Sequence, residues 1–96
     1  MFEWDPKKRE QNLAKHGVDF EYAVMIFADP FWDRIDDRKD YCEERRIALG
    51  QFEGDVFVVT YTKRKDAVRI ISAWQGGRKE HEQYKTYLSR RTAGET

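Results

Sequence analysis

Val68-Arg69-Ile70-Ile71-Ser72-Ala73-Trp74 is a β-branched run that leads through two glycines into a segment opening with Arg78 and Lys79. Such a run reads as a buried strand, and a basic helix placed just after it brings cations to the end of a rigid sheet, where phosphate groups can be gripped. Lys63 and Arg64 lie immediately upstream, and Arg69 alternates with apolar neighbours inside the run. Metal chemistry has no comparable signal. The two histidines, His16 and His81, are far apart in the chain, Cys42 is the single cysteine, and there is neither a paired-cysteine nor an H-E-x-x-H pattern. The residues call for no metal and no cofactor.

Charge is unevenly placed. The formal net charge is zero, with 18 basic and 18 acidic side chains, which argues against a polycation that coats nucleic acid indiscriminately. Residues 1–50 carry 9 basic and 12 acidic groups, whereas residues 62–91 carry 9 basic and 3 acidic. An acidic half joined to a basic half suggests a polyanion partner on one face; the alternative is ordinary solvated surface.

Positioning those cations takes one domain, since 96 residues lie near the lower end of what buries a core unaided. Aromatics are 15% of the chain and must supply much of the packing. A lone cysteine fits a reducing compartment, and no basic leader or apolar stretch of about 18 residues is present, so a soluble, cytoplasmic protein without membrane contact is expected. Residues 1–91 are expected to form the domain, with 92–96 as a flexible tail.

Asp5-Pro6 reads as an N-cap followed by proline at the first helical position, and Gly17 as the residue that closes that helix, giving a first helix over Pro6–His16 with Leu13 and Ala14 facing inward. Asp19 caps a second helix, along which Phe20, Ala23, Val24 and Phe27 recur at helical spacing up to Asp29-Pro30. The period then changes. Residues 31–35, 44–49, 55–62 and 68–73 read as strands, Gly50 as a stop, 36–40 as a charged loop and 63–66 as a hairpin turn. A closing helix is expected from Gly77 to about Arg90. The order predicts an α+β fold: two N-terminal helices, a three- to four-stranded antiparallel sheet and a C-terminal helix, with connections too short for parallel crossovers.

Several stretches carry a family resemblance: F-x-W-D-P at 2–6, N-x-x-K-H-G-V at 12–18 followed by Phe20-Glu21, F-x-D-P at 27–30, Glu44-Arg45, Y-T-x-R at 61–64, and R-I-I-S-A at 69–73 with Glu80 and Tyr84 beyond. In this order and spacing the chain resembles the BrnT toxins of type II toxin–antitoxin systems. That resemblance implies a RelE-like ribonuclease fold, an RNA substrate, a cognate antitoxin that silences the toxin, and operator DNA reached only through the antitoxin. One departure stands out: Trp74 occupies the place where the family pattern implies an arginine.

RNA carries its own nucleophile in the 2′-OH, so a ribonuclease of this kind needs a base for that proton, cations around the phosphate, and an acid for the departing 5′ oxygen, with no metal. Arg64, at the hairpin tip, is the first candidate for phosphate contact; its alternative is a solvated turn arginine. Arg69 points into a groove or onto an open sheet face. Glu44 and Arg45 are catalytic candidates or a cross-strand ion pair. His81 is a candidate acid or base. Tyr61 is a stacking platform or a half-buried strand residue, and Trp74 could stack on a base, with Lys63, Arg78, Lys79 and Lys15 as further RNA contacts. The rival reading keeps the fold and loses cleavage with the arginine that Trp74 replaces, leaving a module that binds antitoxin or RNA.

Overall fold

The computed structural model describes residues 1–94, with side chains through Arg91. The chain runs β1 (Phe2–Trp4), α1 (Pro6–His16), α2 (Phe20–Ala23), a 3₁₀ turn (Val24–Ala28), β2 (Trp32–Ile35), β3 (Arg46–Phe52), β4 (Asp55–Arg64), β5 (Ala67–Gln75) and α3 (Arg78–Gly94). The expected tail at 92–96 falls partly outside the described residues; its first three residues continue α3.

Asp5 caps α1 through its side chain, which accepts from the Lys7 amide, and Gly17 ends the helix at φ 70° in the left-handed region that glycine enters without penalty. Contrary to expectation, Leu13 and Ala14 are exposed, and Asn12 is the buried residue of α1. Its Nδ2 donates to the carbonyls of Val18 at 3.0 Å and Ala73 at 2.7 Å, while its Oδ1 accepts from the Ala73 amide at 3.1 Å. An amide side chain thus completes the edge of β5 where β1 stops.

The sheet has five strands in the order β1-β5-β4-β3-β2. It is mixed, because β1 pairs parallel to β5 while the other neighbours are antiparallel. This corrects the expected antiparallel sheet of three or four strands. The parallel pair needs no short crossover, since everything between residues 4 and 67 serves as its connection. Strand β3 also passes through Gly50 instead of ending there. A Cβ at Gly50 would lie 2.5 Å from the Ile26 Cβ, so the glycine admits the 3₁₀ turn against the sheet. That turn replaces the second half of the expected helix and drives Ile26 into the core.

Two apolar layers result. On one face Phe20, Ala23 and Ile26 pack on Ala48, Phe57, Val59, Tyr61, Ile70 and Ala73. Full burial of a side chain such as Phe20 contributes roughly 1.5–3 kcal/mol. On the other face Tyr84, with Tyr87 and Leu88, packs on Ile47, Leu49, Val56 and Val58. Helix α3 touches chiefly β3 and β4, and so leaves the rest of that face open.

Candidate nucleic-acid interface

Paired residues share a face of a sheet, so the register orders the α3 side into rows that cross the strands. One row is Trp32, Leu49, Val58 and Trp74; the next is Arg34, Ile47, Thr60 and Ser72. A third contains Thr62, Arg69 and Glu3. Apolar residues under α3 therefore give way to hydroxyls and guanidinium groups as the sheet emerges from beneath the helix.

The third row holds an ion pair, in which Arg69 Nη1 lies 2.7 Å from Glu3 Oε2, with both side chains about one-third exposed. Beside it the loop between β2 and β3 folds inward. The Asp36 carboxylate is buried and takes Arg38 Nε at 2.7 Å and Nη2 at 2.8 Å, with the Tyr41 hydroxyl at 3.4 Å. The Arg38 bonds outweigh the cost of burial and hold the Asp36 pKa at about 2, below the ordinary carboxylate value. Tyr41 in turn carries Arg45, whose guanidinium carbon sits 4.0 Å from the ring centre. Arg45 Nε and the Thr60 hydroxyl are buried without a hydrogen-bond partner.

Between Trp32 and Trp74 lies a cavity of about 230 Å³, floored by Ile47, Leu49 and Val58 and edged by Arg34, Arg38, Lys79 and Gln83. A second cavity, of about 650 Å³, shares Trp32, Lys79 and Gln83 with it and continues along α3 past Tyr87 and Arg90. Glu80 shapes this corner, since its Oε1 accepts from the Gly77 amide at 2.7 Å and fixes the start of α3.

The sequence candidates divide accordingly. Arg69, Trp74 and Lys79 line the open face, and Arg45 borders it. Arg64 projects at the hairpin tip and pairs with Glu43 at 3.1 Å. Arg78 is almost fully exposed, 3.9 Å from Glu82. Lys15 is exposed in the last turn of α1, next to His16, whose ring centre is 5.9 Å from that of Trp74.

Four candidates lie elsewhere. Tyr61 is buried on the opposite face, where its hydroxyl donates to Asp33 Oδ2 at 2.6 Å and its ring meets Phe27 edge-on, so no face is free for a base. Burial first, and the Asp33 bond second, push the Tyr61 phenol well above its usual pKa. The Glu44 side chain accepts from Arg46 at 3.1 Å, and Lys63 lines a small cavity beside those two. His81 borders a separate cavity with Gln51 and Lys85 and does not face the arginines. Glu44 and Arg45 fall just before β3, not within the expected strand 44–49, and form no ion pair: Glu44 accepts from Arg46, and Arg45 lies over the Tyr41 ring.

Sequence reasoning missed Glu3, Trp32, Arg34, Arg38 and Gln83. Alternation in Trp32-Asp33-Arg34-Ile35 carried the signal for two of them; Glu3 is placed by register, Gln83 by helix docking, and Arg38 by its bonds to Asp36 in the β2–β3 loop. Among the described residues no group of three or more His, Cys, Asp or Glu side chains could hold a metal ion. Among them, too, no helix is long and apolar enough to cross a membrane.

A small α+β domain with a cation-lined open sheet face is the class these features define. The family model described as "Ribonuclease toxin, BrnT, of type II toxin-antitoxin system" matches residues 4–80, and the chain belongs to that family. The match takes in Trp32, Arg34, Arg38, Arg45, Arg69, Trp74 and Lys79 and stops within the first turn of α3. A search of curated proteins found no match. Membership implies an RNA target and an antitoxin partner.

Proposed function

We propose that this chain is an active endoribonuclease that cleaves single-stranded RNA on the open sheet face by attack of the 2′-OH, without a metal. The observation that supports this best is the Arg69–Glu3 pair, a partly exposed cation and carboxylate 2.7 Å apart on paired strands. Glu3 takes the 2′ proton, the 2′ oxygen bonds to phosphorus, and Arg69 balances charge on the phosphoryl oxygens as the P–O5′ bond breaks. The departing 5′ oxygen takes a proton from water. The products are a 2′,3′-cyclic phosphate and a 5′-hydroxyl. Arg34, Arg45, Lys79 and the tip residue Arg64 hold flanking phosphates.

The antitoxin, on this reading, silences the enzyme by covering the same face, and contact with operator DNA belongs to the antitoxin. The rival reading of a non-cleaving module rests on Trp74, which puts an indole where the resemblance implies a guanidinium.

Incubation of the purified chain with an unstructured RNA in excess chelator separates the two. Cleavage ending in cyclic phosphate, abolished in a folded Arg69→Ala variant, supports the enzyme. An inert native chain that gains cleavage on Trp74→Arg overturns it in favour of the module.

A further inference from the structure

Trp32 and Trp74 stand at opposite ends of one row of four strands, three inter-strand spacings apart, or about 14 Å between backbones. Their side chains wall the cavity of about 230 Å³ whose floor is Ile47, Leu49 and Val58. Two features are unlike an ordinary hydrophobic depression. First, cations outnumber carboxylates on its rim, with Arg34, Lys79 and the Asp36-bound Arg38 against Glu80, whose Oε1 is taken by the Gly77 amide, around an apolar floor. Second, Gln83, an exposed residue of α3, borders it with a neutral amide.

Flat apolar walls, a cationic rim and one neutral donor–acceptor group match the parts of a nucleotide: a π face, a phosphate, and a base edge with its own donors and acceptors. Trp74 is also braced from behind, by the His16 ring 5.9 Å away at the end of α1. Helix α1 is pinned to β5 by the Asn12–Ala73 bonds, so this wall is set by the fold.

We infer that the recess between Trp32 and Trp74 receives one unpaired RNA base, stacked on indole, with its edge read by Gln83 and its phosphate held at the basic rim. The inference rests on the reading of RNA as the ligand of this face, and it adds a base-selecting subsite apart from the Arg69–Glu3 pair. It gives Trp74 a role of its own, since an indole supplies stacking where a guanidinium would supply charge.

The test uses the full chain and a short 2′-O-methyl RNA, which binds but cannot be cleaved because its 2′ oxygen is blocked. Intact and fully abasic oligomers of equal length are titrated against tryptophan fluorescence. Trp4 packs on the opposite face and serves as an unresponsive reference. The expected result is quenching by the intact oligomer with about tenfold tighter binding than the abasic one, the gain one stacked base gives. Trp32→Leu and Trp74→Leu should each remove most of that gain. Trp32→Phe and Trp74→Phe, which keep an aromatic face and the fold, should restore part of it. Gln83→Ala should narrow the spread of affinities among the four homopolymers.

Equal affinity for intact and abasic oligomers overturns the inference, as does wild-type binding by both leucine variants. Quenching by a protein partner, with none from intact oligomer, assigns the recess to protein and overturns it too. Cleavage of unmodified RNA reports separately. A chain that cleaves yet ignores the bases loses only this subsite, and one that reads bases yet never cleaves loses only the nuclease activity.

Discussion

Asn12 holds both backbone polar groups of Ala73, donating from Nδ2 to its carbonyl and accepting at Oδ1 from its amide, across 61 positions of sequence. A helix side chain thereby acts as one more strand residue at a sheet edge that β1 does not reach. Asn12→Ala strands the Ala73 and Val18 groups in a buried site and should cost about 1–3 kcal/mol in urea unfolding. Asn12→Asp should cost more than alanine, because it sets a carboxylate against two carbonyl oxygens. An aspartate variant as stable as the native chain would contradict the pairing.

Gly50 should resist even a methyl group. A Cβ there meets Ile26, and relief requires the 3₁₀ turn to lift off the sheet. Gly50→Ala should destabilise by about 1–3 kcal/mol, and Ile26→Ala in the same chain should not restore the loss, because alanine keeps the Cβ that lies 2.5 Å away and leaves a cavity in the core.

Acid should weaken the fold in a defined window. The Asp36 carboxyl sits at about 2 in the folded chain, held down by Arg38, and Asp33 and Asp19 are also depressed, by Arg46 and Arg9. A carboxylate whose folded pKa lies below its unfolded value near 3.9 adds stability that is fully present above that value and drains away as pH falls towards the folded one. Stability should therefore fall between about pH 4 and pH 2. Asp36→Asn should flatten that slope by about 1–2 kcal/mol, less than the whole shift, because Arg38 is half exposed and water screens the pair. Thermal unfolding midpoints measured across this range check the claim.

Tyr61→Phe removes a 2.6 Å hydrogen bond to Asp33, which keeps its 2.7 Å ion pair with Arg46. The cost should be about 1–2 kcal/mol of stability. Affinity for RNA below the unfolding transition should not change; a fall would return Tyr61 to the interface.

Cleavage should depend unequally on the arginines. Arg69→Ala should lower the rate by about 100-fold or more, as for loss of a group facing transition-state charge. Arg64→Ala, at the exposed tip and paired with Glu43, should act mainly through affinity and should lessen its salt dependence. Rates with saturating RNA at two salt concentrations separate the two effects.

Local chemistry made most elements legible. Asp5-Pro6 and Gly17 bound α1, Asp19 opens α2, and the β-branched runs of β4 and β5 lie as read, though each extends further. What escaped depends on distance along the chain. The strand Phe2–Trp4 is too short to announce itself and exists through its pairing with residues 68–70. Asn12 is polar, and its burial follows from a carbonyl and an amide supplied by β5. Gly50 resembles a terminator locally and proves to be a clearance for Ile26. At the site, Arg69 and Trp74 were legible as residue types, but strict alternation sets them, five positions apart, on opposite faces; the register shift of β5 opposite Thr60 and Tyr61 is what brings both to the α3 side, and the strand placing Tyr61 on the covered face could not be oriented before its partners were known.

The parallel union of the first and last strands also has a kinetic meaning. Glu3 and Arg69 are 66 positions apart, and loop closure over that span must precede their meeting. The groove therefore cannot assemble on a nascent chain until β5 has left the ribosome tunnel. Products truncated before residue 69 lack half of the pair, and the sheet gains its parallel edge only with chains synthesised past that point.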